Sequence, residues 1–122
     1  MEQSLRFCFK KKQRIFKPAI FQKVLKHPQF VYKQKNIIGL ATNSEQLLTN
    51  ARLGIIAAKR KFPHAKDRNK IKRIVRESFR LNQNLLINLD IIIIARGSFT
   101  LDNSKDLFNQ LDKIWQNLYA FA

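Results

Sequence analysis

The stretch Lys59–Arg80, KRKFPHAKDRNKIKRIVRESFR, joins a turn to an amphipathic helix and carries the densest positive charge in the chain. Phe62-Pro63-His64-Ala65 reads as the turn, and Asp67 is placed to cap the start of a helix over about 67–82. At 100° per residue, Ile71, Ile74, Val75, Ser78 and Phe79 share one arc. Asn69, Lys70, Lys72, Arg73, Arg76 and Arg80 share the opposite arc. One side can bury against a sheet while the other projects positive charge. An ordinary solvated face mixes signs, because like charges four residues apart repel by roughly a few tenths of a kcal/mol. Here Arg68, Lys72, Arg76 and Arg80 follow one another at that spacing with no acid among them, and only Arg73–Glu77 makes an opposite-sign pair. Repulsion left in place along one face points to an anionic partner.

The flanks supply the sheet. Arg52–Lys59, RLGIIAAK, reads as a strand before the helix. Asp90–Ala95, DIIIIA, is apolar without alternation, the pattern of a strand buried on both faces and often parallel to its neighbour. Strand, helix and strand form a β-α-β unit. Upstream, Ile37–Thr42 (IIGLAT) and the shorter Phe30–Tyr32 (FVY) read as strands, and with 52–59 they suggest an antiparallel meander. Gly39 and Gly54 fall inside strands and suggest a bulge or the close approach of a helix. Pro18 suits a helix start, and Ile20, Phe21, Val24 and Leu25 give that helix an apolar side before His27-Pro28 ends it near residue 26. Lys23 and Lys26 lie on its outer side. Near the C-terminus Asp102 or Ser104 can cap a last helix, whose Leu107, Phe108, Leu111, Ile114, Trp115 and Leu118 repeat at helical spacing through Tyr119. The order is α-β-β-β-α-β-α. The expected class is α+β, a two-layer α/β sandwich with a small mixed sheet.

A chain of 122 residues with 45% hydrophobic content can build one core, so residues 1–122 are expected to form a single domain. A net charge of +16 and a pI near 10.6 imply a polyanion, nucleic acid ahead of an anionic membrane surface. The longest apolar run, Ile91–Ala95, is too short to span a bilayer, and the N-terminus does not resemble a signal peptide. Cys8 stands alone, which fits a reducing cytoplasm. Residues 1–9 read equally as a flexible basic tail or as an arm that follows phosphates. Lys10 to Phe16, with Lys12, Arg14 and Phe16, favours the arm.

Catalytic constellations are hard to find. His27 and His64 sit in different loops without a Cys or acid at ligand spacing, so a metal site is not expected. The chain has eight acids, and no two or three cluster as Mg²⁺-dependent phosphodiester cleavage would need. Asp102 and Asp106 are explained by the start of a helix. No nucleophile–base set and no glycine-rich phosphate loop stands out, so no catalytic residue is assigned. Binding is better supplied: Lys59, Arg60, Lys61, Arg68, Lys70, Lys72, Arg73 and Arg76 offer phosphate contacts. Phe21 and Tyr32 offer stacking surfaces for unpaired nucleotides, with core packing as the alternative.

RNKIKRIVRESFR (68–80), preceded by LGIIAAKRKFPHAKD (53–67), resembles the protein subunit of bacterial ribonuclease P. That family has an Arg-Asn-x-x-Lys-Arg core in a basic helix, matched here by Arg68, Asn69, Lys72 and Arg73 and followed by Arg76. Arg14-Ile15, Phe21-Gln22-Lys23-Val24 and IIIIAR (91–96) are also similar, and the resemblance spans roughly residues 10–120. It implies the same α-β-β-β-α-β-α order with a left-handed β-α-β crossover. It implies a ribonucleoprotein in which a catalytic RNA and its Mg²⁺ remove the 5′ leader of precursor tRNA, with no cofactor bound by the protein. Arg68, Asn69, Lys72, Arg73 and Arg76, with Lys59, Arg60 and Lys61 at the strand end, are then the RNA contacts. Phe21 matches an aromatic of a cleft for the single-stranded leader. The family's second aromatic one turn later is Leu25 here, and the aromatic often found in the strand matching 36–42 is missing. The alternatives are a non-enzymatic nucleic-acid-binding or ribosomal protein, which explains the charge but not the motif, and a stand-alone nuclease, which would need an acidic cluster.

Overall fold

The computed structural model describes residues 18–43, 51–83, 86, 89–96 and 104–121. Their elements are α1 (Pro18–Lys26), β1 (Phe30–Lys33), β2 (Ile37–Asn43), β3 (Arg52–Ala57), α2 (Ala65–Asn82), β4 (Leu89–Ala95) and α3 (Ser104–Phe121). This is the expected order, and the class is α+β. Lys12, Arg14 and Phe16 lie outside the described residues, as does Asp102.

The sheet runs β1-β2-β4-β3. β1 and β2 pair antiparallel, β2 and β4 pair antiparallel, and β3 lies parallel to β4. The meander expected from the first three strands is therefore wrong at its third member: β4 is inserted between β2 and β3. Its four consecutive isoleucines explain the insertion. A strand apolar on both sides is best placed at the centre, where both faces are covered and both backbone edges are paired. β3, whose residues are mostly half-buried, takes the edge.

Side-chain alternation assigns the two sheet faces. Ile91, Ile93 and Ala95 of β4 join Ile37 and Ala41 of β2 and Leu53 of β3 in the main core, closed by α2 and α3. α2 contributes Ile71, Ile74, Val75, Ser78 and Phe79, the arc that the periodicity marks. α3 contributes Leu107, Leu111, Ile114, Trp115 and Leu118. Where the helices meet, the Trp115 Nε1–H donates to Ser78 Oγ at 2.8 Å, and the Trp115 ring meets Phe79 edge-on at 5.9 Å. The opposite face carries α1 over Leu40 and Ile92, with Val24 between them.

Both strand glycines mark close approaches by helices. A Cβ on Gly39 would stand 2.7 Å from Ile114 Cγ2 of α3, and one on Gly54 would stand 2.9 Å from Phe21 Cε2 of α1. Glycine is what lets each helix lie this close to the sheet. A buried amide exchange holds α3 to the β1–β2 turn. The Asn36 N–H donates to Gln110 Oε1, and Gln110 Nε2 donates to Asn36 Oδ1, each at 2.9 Å. On the α1 side, Arg52 and Asp90 face each other across the parallel pair and bond at 2.7 and 3.0 Å.

Candidate nucleic-acid interface

α2 begins at Ala65, two residues before the expected start, with His64 at the N-cap and no side chain closing that end. Asp67 therefore sits inside the first turn, where its negative charge suits the positive end of the helix dipole but does not cap it. With the apolar arc fixed against the sheet and α3, the remaining side chains point outward. Asn69 and Arg73 are exposed, while Lys70, Lys72 and Arg76 are half-buried. Lys59, Arg60 and Lys61 are exposed on the turn leaving β3. The structure thus brings these eight residues to the turn and the outer side of one helix. Arg68 is also half-buried, and its Nη1 donates to the Phe62 and Pro63 carbonyls at 2.8 and 3.0 Å.

Glu77 pairs with Arg80 and not with Arg73. Arg80 Nε donates to Glu77 Oε2 at 3.2 Å, and Arg80 Nη2 bonds the other carboxylate oxygen. Positions i+3 and i+4 are equally near on a helix surface, so spacing alone does not choose the partner. The Arg80 hydrogen bonds hold the Glu77 carboxyl below the usual carboxylate range. The pair offsets charge toward the C-terminal end of α2 and leaves the positive density over its first three turns. Along the side facing α3, Lys70, Arg73, Ile74 and Glu77, with Ser104 and Phe108 of α3, line an open groove of about 260 Å³.

The two described aromatic candidates lie on opposite faces. Tyr32 stacks on Phe30 with centroids 6.3 Å apart, and both pack on the main core. Phe21 lies on the α1 face over Gly54. Tyr32 and Phe21 therefore do not form one cleft. Alternation in the FVYK strand puts Val31 and Lys33 on the α1 face instead, a signal present in the sequence that the FVY reading did not use. Lys33, Ile38, Ile94 and Ile56 form one row across the sheet by register, and Val31, Leu40, Ile92 and Gly54 form the next. α1 covers this face incompletely. Val31 is 50% exposed, and Phe21, Leu25, Ile38, Ile56 and Ile94 are only partly buried. The result is an apolar strip beside α1, with Lys33 at one end and the Lys59–Lys61 turn starting three residues beyond Ile56 at the other.

Among the described residues no group of three or more His, Cys, Asp or Glu could hold a metal ion. Asp90 is committed to Arg52, and Asp106 accepts a hydrogen bond from Gln110 Nε2 at 3.2 Å. No helix among them is long and apolar enough to cross a membrane. The described arrangement offers cations for phosphates on α2 and its turn, and an apolar strip beside α1.

A small α+β protein with one helix face and its leading turn given over to cations is of the class that binds polyanions, nucleic acid first among them. The comparisons with known proteins make this specific. The Ribonuclease P family model matches residues 9–119. The ribonuclease P protein component of Buchnera aphidicola is 39% identical over 113 residues, covering 93% of this chain and 96% of that protein. The component from Vibrio cholerae is 38% identical over 113 residues, covering 92% of each. Among solved structures, the RNase P protein of Staphylococcus aureus superposes with a TM-score of 0.71 at 30% identity, over 84% of this chain and 94% of that one. The Thermotoga maritima RNase P protein gives 0.64 at 27% identity, over 88% and 96%. The chain belongs to the ribonuclease P protein family.

Proposed function

We propose that this chain works as the protein component of the ribonuclease P holoenzyme, binding the catalytic RNA through α2 and its leading turn and holding the 5′ leader of precursor tRNA. It takes part in tRNA 5′ maturation as part of a ribonucleoprotein, in the cytoplasm, where Cys8 stays reduced. The observation that carries this reading is the division of α2: one arc buried among core residues, the other presenting the family motif within a dense row of cations. Catalytic RNA and substrate are both polyanions, and a chain of net charge +16 reduces the repulsion between them. The RNA with its Mg²⁺ supplies the hydrolytic chemistry. This chain supplies phosphate contacts and, beside Phe21, an apolar strip on which unpaired bases rest. The absence of an aromatic in β2 makes Phe21 and the isoleucine row the leader surface, with Lys33 and Lys59–Lys61 for its phosphates.

The test is reconstitution. Precursor tRNA and a bacterial catalytic RNA are incubated at low Mg²⁺ with and without the protein. The protein is expected to accelerate leader removal most where Mg²⁺ is scarce. Failure to stimulate would favour a ribosomal or packing protein. Leader removal by protein without RNA would favour a stand-alone nuclease.

A further inference from the structure

The basic surface comes in two pieces, the exposed Lys59–Lys61 turn and the outer side of α2, with Phe62, Pro63 and His64 between them. The turn closes on itself. The Lys61 and Phe62 amides both donate to the Ala58 carbonyl, at 3.1 and 2.9 Å. Helix α2 closes its own first turn through the Asp67 and Arg68 amides to the His64 carbonyl, at 3.1 and 3.3 Å. Between the two, Pro63 has no N–H to offer, and the Phe62 and Pro63 carbonyls turn toward one donor, Arg68 Nη1, at 2.8 and 3.0 Å. The Phe62 ring, 6% exposed, anchors the same point in the main core. A guanidinium has five N–H donors, so Nε and Nη2 remain able to meet a phosphate while Nη1 holds the carbonyls.

We propose that Arg68 is a positioning residue: it fastens the Lys59–Lys61 turn to the first turn of α2, so that the two basic pieces meet RNA as one rigid array. The inference rests on the RNA-binding reading given above. Fixing the turn in advance removes the ordering cost of three long side chains' backbone on binding. It also makes Arg68 count for more than its own phosphate contact.

Hydrogen exchange on the free protein tests the brace without RNA. Arg68→Ala should speed exchange at the Lys61 and Phe62 amides several-fold while β4 amides keep their protection. Unchanged exchange at the turn overturns the proposal. A double-mutant cycle tests the consequence. Arg68→Ala should lower the slope of RNA affinity against salt by clearly more than the ~0.9 expected for one phosphate. In a Lys59→Ala/Arg60→Ala/Lys61→Ala background the same change should cost several-fold less affinity than in the natural chain. Losses that simply add overturn the proposal. Arg68→Lys, which keeps the charge but not the planar fork, guards against a folding defect. Full recovery of affinity by Arg68→Lys while the turn still exchanges fast would show that the charge alone matters, and would overturn the proposal. If the triple variant binds RNA as well as the natural chain while Arg68→Ala still loosens the turn, the RNA reading of the turn has failed and the brace has not.

Discussion

The two faces of the sheet are finished differently. On one, α2 and α3 seal Ile37, Ala41, Leu53, Ile91 and Ile93 beneath Phe79 and Trp115, nearly all of them fully buried. On the other, nine-residue α1 buries its own Val24 against Leu40 and Ile92, and among the described residues Val31 and the Ile38–Ile94–Ile56 row stay part-open. A chain stabilised mainly through its closed face can leave apolar side chains at the surface of the other, where a flexible polymer can use them. The positive charge of α2 follows the same logic, since its inner arc is committed to the closed face and its outer arc is not.

The largest expected effect is Trp115→Ala. It empties the α2–α3 junction, leaves the Ser78 hydroxyl without its indole donor, and should cost about 3–5 kcal/mol, read from urea unfolding. Next is Gly39→Ala, whose Cβ would press on Ile114, a fully buried and stiffly branched side chain. Overpacking of this kind should cost roughly 1–3 kcal/mol. Gly54→Ala makes the matching intrusion on the other face, but against Phe21, which is only partly buried and can swing outward. It should cost less than Gly39→Ala, and equal costs would mean that the α1 face is as closed as the other. Phe21→Ala sharpens the contrast from the functional side. It should lower stability by roughly 1–2 kcal/mol and reduce the preference for precursor over mature tRNA. An equal loss of affinity for both substrates would assign Phe21 to folding alone.

Much of this was legible from local patterns. The α2 arcs follow from spacing that any helix imposes, and the Ile91–Ile94 run announces a strand buried on both sides. The family motif at Arg68–Arg73 identifies the basic helix. What local pattern does not carry is which strand lies beside which. The β2–β3 meander is the short-range pairing that sequence proximity suggests, whereas β4 holds the sheet centre through pairings between residues far apart in the chain, Ile37 with Ala95 and Leu53 with Ile91. Partner choice on a helix surface is hidden for a related reason. Arg73 and Arg80 both lie within reach of Glu77, and their side-chain conformations decide between them. The indole bond from Trp115 to Ser78 and the amide exchange between Asn36 and Gln110 join residues 37 and 74 positions apart. The Arg68 bond to Phe62 and Pro63 spans only six and five residues, yet its charge pointed toward RNA and concealed a role inside the fold.

The outer arc of α2 is expected to meet RNA while the inner arc holds the structure. Arg73 tests this most directly, being exposed, part of the motif and on the groove beside α3. Affinity of Arg73→Ala for the catalytic RNA is measured across a salt series, beside its urea midpoint. Weaker binding, a salt slope reduced by about 0.9 and an unchanged midpoint are expected. Unchanged affinity and slope, or a loss of binding that merely follows a loss of stability, would contradict this division of α2.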